Sequence, residues 1–148
     1  MTATVFADSS ALVKLYADEA GAEDVRGLPH IVVSQLARVE VPAALWRKTR
    51  LGEIAAGDTA VLIAAFEADY FGTTDEDPRF VTLAATAAVL DDAARLVGVH
   101  GLRAYDAVQL ASAVATRTAV GEGVVMASFD EALSAAAAAE GLALLPTA

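Results

Sequence analysis

Apolar residues fall along this chain in two rhythms. Short, largely apolar runs at Thr4–Ala7, His30–Val33, Phe80–Leu83, Val124–Ala127 and Leu142–Leu145 read as strands, the first of them buried. Between them the spacing turns helical. Ser9–Ala20 carries Leu12, Val13, Leu15 and Tyr16, which predicts one amphipathic helix. Ser34 is placed to cap a helix running to about Leu51, with Gly52 as its stop. Another helix begins at Gly57 or Asp58 and sets Val61, Leu62, Ala65 and Phe66 on one face. Thr86–Val99 (ending near Gly101), Ala104–Thr118 and Asp130–Glu140 complete the helices, the last extended by the alanine run Ala135–Ala139. Phe71–Arg79 is aperiodic, holding Gly72, Pro78 and three acidic residues, and reads as a flexible loop.

Strands that alternate with helices, most of them apolar throughout, predict an α/β fold. Its three layers are a mainly parallel sheet of about five strands with helices on both sides. The length of 148 residues fits a single domain, 1–148, around one core. In such sheets ligands bind beyond the carboxyl ends of the strands, so the residues just after each strand carry the interest.

Composition narrows the chemistry. There is no cysteine, which excludes disulfides, thiolate-bound zinc and thiol nucleophiles and fits a cytoplasmic protein. Only His30 and His100 are available, too few for a histidine-rich metal site. No charge-free apolar span of about 20 residues occurs, so no membrane segment is expected. The stretch before Asp8 lacks a basic segment followed by a long apolar one, so no signal peptide is expected. The net charge of −10 at first opposes a nucleic-acid partner. Bound cations reverse the local field of carboxylates, however, and Arg38, Arg47, Lys48 and Arg50 share one predicted helix as a possible positive strip.

Four acidic residues stand out. Asp8 directly follows the first strand, and Asp130 closely follows the strand that ends at Ala127. Glu40 lies among Leu36, Val39, Val41 and Leu45, and Asp106 among Tyr105, Val108 and Leu110. A charge on the apolar side of a helix is costly unless it is paired or binds a metal. Each acid has a simpler reading: Asp8 and Asp130 as helix N-caps, Asp106 as a partner of its helix dipole, Glu40 as half of an ion pair with Lys14 or an arginine. One shared site explains all four together. Clustered carboxylates repel, so some pKa values should rise. Mg²⁺ or Mn²⁺, hard cations that favour carboxylate oxygens, would relieve the repulsion. Metal binding should then release protons and weaken as pH falls.

The blocks Asp8-Ser9-Ser10-Ala11-Leu12-Val13-Lys14, the Glu40 helix, Leu102-Arg103-Ala104-Tyr105-Asp106-Ala107-Val108-Gln109-Leu110-Ala111 and Ser128-Phe129-Asp130 together resemble PIN-domain ribonucleases. They are most similar to the VapC-type toxins of bacterial toxin–antitoxin pairs, in order and approximate spacing over nearly the whole chain. The resemblance implies a PIN-like fold with the four acids at the carboxyl edge of the sheet. It also implies Mg²⁺ or Mn²⁺ and endonucleolytic hydrolysis of RNA by in-line attack of water. Asp8 and Asp106 would be the direct metal ligands and Glu40 a further ligand or water-orienting group, with Asp130 the most variable member. Ser128 and Ser9 would support the site by hydrogen bonding. A cognate antitoxin and a homodimer are implied too, with the apolar surface around Leu12–Tyr16 and Val61–Phe66 as the place where an antitoxin segment would lie. Pro42 departs from an ordinary helix interior and is expected to kink the Glu40 helix. Asp75-Glu76-Asp77 is ill suited to hold RNA. Arg38, Arg47, Lys48, Arg50 and Arg103 are the candidates for its backbone.

Two other classes compete. A PIN-like module that only captures a protein partner would not need all four acids. A phosphoryl-acceptor domain would need an Asp after the third strand, where Leu83-Ala84-Ala85 stands.

Overall fold

The computed structural model describes residues 3–121 and 123–147. Five strands form the central layer: β1 (Thr4–Ala7), β2 (Ile31–Ser34), β3 (Phe80–Leu83), β4 (Val124–Ala127) and β5 (Ala143–Leu145). All neighbours are parallel, in the order β3-β2-β1-β4-β5. The chain steps outward from β1 to β3, then returns to the other side of β1 to lay down β4 and β5. The direction of winding therefore reverses between β1 and β4, which is where an open parallel sheet has its crevice.

Two helical layers cover the sheet. On one side lie α1 (Ser9–Leu12), α2 (Ala22–Arg26), α3 (Ala37–Arg50) and α4 (Ala56–Phe71). On the other lie α5 (Ala87–His100), α6 (Ala104–Val120) and α7 (Glu131–Ala139). Alternate strand residues supply the two cores. Phe6, Val32, Val124 and Met126 pack with Leu96, Leu110 and Leu133 of the second layer. Val5, Ala7, Ile31, Val33 and Ala127 pack with Leu12, Val41, Leu45 and Phe66 of the first. The fold is the expected three-layer α/β arrangement. Among the described residues no helix is long and apolar enough to cross a membrane.

Three local expectations are corrected. The helix proposed for Ser9–Ala20 stops at Leu12 and tightens into a 3₁₀ turn at Val13–Leu15, and the short α2 follows. Arg26 of α2 explains the early stop: it donates to the carbonyls of Lys14 (3.0 Å) and Ala17 (3.2 Å), taking acceptors that a longer helix would have used. Gly21 makes the reversal, with φ +89° and an inferred Cβ position only 2.6 Å from Phe129 Cε1, so both backbone and space call for glycine. Second, Ser34 does not cap α3. It ends β2 as a buried residue, its hydroxyl accepts the Leu36 amide (3.1 Å), and Leu36 is the N-cap residue with no side-chain bond. Third, α4 turns inward through Thr59, Phe66 and the half-buried Leu62 and Tyr70, while Val61 and Ala65 face solvent. Pro42 sits inside α3, which continues through it.

Candidate active site

The topology sets Asp8 and Ser128 side by side. Ala7 pairs with Ala127 across β1 and β4, and the Asp8 amide continues the ladder to the Ala127 carbonyl (3.1 Å). Asp8 is buried at 3% exposure. Its Oδ1 accepts from the Ser10 hydroxyl (2.7 Å) and the Ala11 amide (2.9 Å), and its Oδ2 from the Ser128 hydroxyl (2.6 Å). It is thus the N-cap of α1 and, at once, the acceptor on which two serine hydroxyls converge. Burial pushes its carboxyl up to about 6, aided by the charge of Asp130 and opposed by the hydrogen bonds from Ser128, Ser10 and the Ala11 amide.

Ser10 and Ser128 act as two-sided supports. Each donates to Asp8 while accepting a backbone amide of the β4–α7 turn, that of Phe129 (2.9 Å) for Ser10 and that of Asp130 (3.1 Å) for Ser128. The turn carrying Asp130 is therefore tied to the acid after β1.

Glu40 projects from the first turn of α3 toward α6. Its Oε1 accepts from Ser9 Oγ (3.0 Å) and Gln109 Nε2 (2.7 Å); among the described residues nothing hydrogen-bonds to Oε2. Among the described residues Glu40 makes no ion pair with Lys14 or an arginine; Lys14 is held instead by Glu19 (3.0 Å). Burial raises the Glu40 pKa, countered by Gln109 and Ser9 and reinforced by the charge of Asp106. Asp106 stands in the first turn of α6, half-buried, and its pKa is also raised by burial, then by the charge of Asp130, against the pull of Arg103. Asp130 caps α7 through Oδ1 and the Leu133 amide (2.9 Å). The exposed Arg103 reaches toward both acids, 3.4 Å from Asp106 Oδ2 and 3.8 Å from Asp130 Oδ2.

The four acids are thus linked electrostatically: Glu40 senses the charge of Asp106, and both Asp106 and Asp8 sense that of Asp130. They share the carboxyl edge of the sheet. Among the described residues, though, no three of them close into an ion cage supplied by protein alone. Mg²⁺ does not need one, since it keeps several waters and takes one or two carboxylates, whereas Ca²⁺ takes six to eight oxygens. The donor set is all hard oxygen, and three of its members are held at raised pKa by burial or by one another. A small hard dication fits both facts.

Two residues escaped the sequence reading. Ser10 was part of the opening motif without a role. Gln109, buried at 2%, braces Glu40, and its own Oε1 is a buried acceptor without a partner among the described residues. Its position three residues after Asp106 on one helix face was the signal that could have found it.

The family model of the PIN domain matches residues 5–139. The chain is 36% identical to Ribonuclease VapC45 of Mycobacterium tuberculosis, over 96% of this chain and 94% of that protein. PAE2754 from Pyrobaculum aerophilum shares its fold at TM-score 0.64 and 22% identity, covering 97% of this chain and 84% of the other. A toxin–antitoxin complex from Klebsiella pneumoniae matches at TM-score 0.54 and 15% identity over 86% of each chain.

Proposed function

Because this chain belongs to the PIN-domain family, we propose that it is a Mg²⁺- or Mn²⁺-dependent endoribonuclease, the toxin of a toxin–antitoxin pair. The observation that carries the reading is the buried, hydroxyl-braced Asp8 in electrostatic contact with Asp130, and through it with Asp106 and Glu40. Asp8 and Asp106 would hold the ion, with Asp130 as a further ligand or only a cap. When bound, such an ion supplies Lewis-acid stabilisation of phosphoryl charge and lowers the pKa of water.

The chain's own groups do the rest. Ser10, Ser128 and the Ala11 amide fix Asp8 so that no reorganisation is needed at the reaction. Ser9 and Gln109 hold Glu40 Oε1, which leaves Oε2 as the atom that orients a water and accepts its proton. Arg103, exposed at the mouth of the site, can turn from Asp106 and Asp130 to a substrate phosphate.

The test is RNA cleavage by the purified protein with Mn²⁺, after EDTA, and after Mn²⁺ is restored. Cleavage that follows the metal is expected. Equal cleavage in EDTA would refute the metal-dependent reading, and no cleavage under any condition would refute the nuclease reading.

Gln109→Leu tests the brace. It removes the donor that holds Glu40 down in pKa, so Glu40 should ionise at higher pH. The acid limb of the pH–rate profile should shift upward, with kcat at pH 7 falling about tenfold. An unshifted limb would show that Glu40 does not titrate in the rate.

For the antitoxin, the surface expected from the sequence divides. Leu12, Val13 and Phe66 belong to the core. A recess of about 450 Å³ remains between the 3₁₀ turn, α3 and α4, lined by Tyr16, Lys48, Ile54, Val61 and Leu62 among others. It is large enough for side chains of an amphipathic partner segment. Self-association as a homodimer would cover exposed apolar side chains such as Leu90 and Val97, seven residues apart on one face of α5.

A further inference from the structure

We propose that the face of α3 running from Glu40 to Leu51, with Tyr105 across the groove, is the track that holds single-stranded RNA. This rests on the ribonuclease reading and names the residues that would position the substrate.

The first observation is a distribution of charge. The chain carries 10 Lys and Arg against 20 Asp and Glu. Among the described residues every Lys and Arg except Arg47 and Arg50 is engaged with a carboxylate or carbonyl oxygen. Of the sequence candidates, Arg38 is taken by Glu67 (2.9 Å) and Lys48 by Glu19 (2.5 Å). Arg47 and Arg50 are exposed, and they lie seven and ten residues after Glu40. At 3.6 residues per turn that is one helix face, about 10 and 15 Å along the axis from the acid. On a strongly acidic protein, the two uncommitted cations thus form a line leading away from the candidate active site.

The second observation is the shape and lining of the groove. A depression of about 660 Å³ is lined by Val39, Glu40, Arg47, Arg50, Leu51 and Tyr105 among others. Val39 is 69% exposed, Leu51 66% and Tyr105 65%. Tyr105 also lines the recess holding Glu40, Arg103 and Asp106, and Arg47 lines the one holding Ser9, Glu40 and Arg103. The groove therefore opens directly onto the acids.

An exposed aromatic ring beside two free guanidinium groups suits one polymer in particular. Unpaired bases stack on aromatic faces with little sequence preference, while arginines hold the phosphates between them. A base on Tyr105 places the adjoining phosphate at Asp106 and Glu40, and the strand continues over Arg47 and Arg50. A duplex, with its bases enclosed, cannot use the Tyr105 ring.

The test compares steady-state cleavage of a labelled single-stranded RNA oligonucleotide and its blunt duplex, with Mn²⁺, across a range of salt. For the Arg47→Ala, Arg50→Ala double variant, KM should rise tenfold or more. The slope of log KM against log salt should lessen by about 0.7 for each arginine removed. Tyr105→Ala should raise KM about tenfold on the single strand, and Tyr105→Phe should restore it. The melting temperature and its increase on adding Mn²⁺ should match wild type in all variants, which separates lost RNA contact from lost folding or metal. Unchanged KM and salt slope in variants of a protein that cleaves RNA would overturn the track alone. Equal KM for strand and duplex would overturn the stacking role of Tyr105. A wild type that fails to cleave overturns the underlying ribonuclease reading, and the track with it.

Discussion

Asp8→Asn is expected to lower RNA cleavage about 10³-fold while making the metal-free protein more stable at pH 7.5. Both effects come from one buried carboxyl. Burial raises the Asp8 pKa from its ordinary 3.8 to about 6. An acid raised by folding favours the folded state fully below its unfolded pKa, and that contribution is lost as pH climbs through the folded value. Wild type should therefore lose up to about 3 kcal/mol between pH 4 and pH 7 from this group. Asparagine carries no charge to desolvate, and its Oδ1 can still accept from Ser10 and the Ala11 amide. Thermal denaturation of metal-free protein should show the variant ahead at pH 7.5, with the advantage gone near pH 4. Added Mn²⁺ should raise the melting temperature of wild type and leave Asp8→Asn unmoved. Parallel pH profiles for the two proteins would disprove the buried-charge explanation, and an equal metal response would disprove Asp8 as a ligand. Asp106→Asn should show a comparable loss of cleavage with a smaller change in stability, since Asp106 is only half-buried.

Phe66→Ala is expected to cost about 3–5 kcal/mol. Phe66 is fully buried and joins three aromatic contacts, with Tyr16 (5.8 Å between centroids), Tyr70 (5.7 Å) and Phe80 (6.3 Å). Tyr16 is fastened by its phenol to Asp69 of α4 (2.6 Å), so the surroundings cannot collapse freely into the cavity. Loss of the ring would also loosen the hold of α4 on the 3₁₀ turn and on β3. Chemical denaturation at fixed pH measures it. A cost below about 1 kcal/mol would mean that the cluster repacks and is not the anchor of this layer.

Much of the fold is legible locally. The strand cores were readable because each is a short apolar run bounded by turn residues. The helices α5 and α7 were readable because caps and periodicity agree: Thr86 caps α5 through the Val89 amide (3.2 Å), and Asp130 caps α7; α6, whose N-cap residue Arg103 makes no side-chain bond, was readable from periodicity alone. The helix predicted over Ser9–Ala20 misread its end because the competing interaction is not local. Arg26 takes the carbonyls, and Phe129, more than 100 residues from Gly21, limits what can stand there. Val61 and Phe66 were placed on one face of α4 because spacing marks a face of a helix without saying how wide that face is or which part of it is buried. In the structure the buried centre lies at Phe66 and Thr59.

The acidic residues themselves were visible from chain position alone: two after strands, two on helices among apolar neighbours. Sequence by itself determined the α/β class, the strand positions and this acidic inventory, because each follows from short-range periodicity and from the cost of burying charge. Tertiary structure alone decided the order β3-β2-β1-β4-β5. It also decided which oxygen each donor serves, the bracing of Glu40 by Gln109 and the freedom of Arg47 and Arg50. The physical reason is range. Parallel pairing joins Asp8 to Ser128 across 120 positions of chain, and the burial that raises Asp8 to about 6 exists only once both helical layers have closed over the sheet.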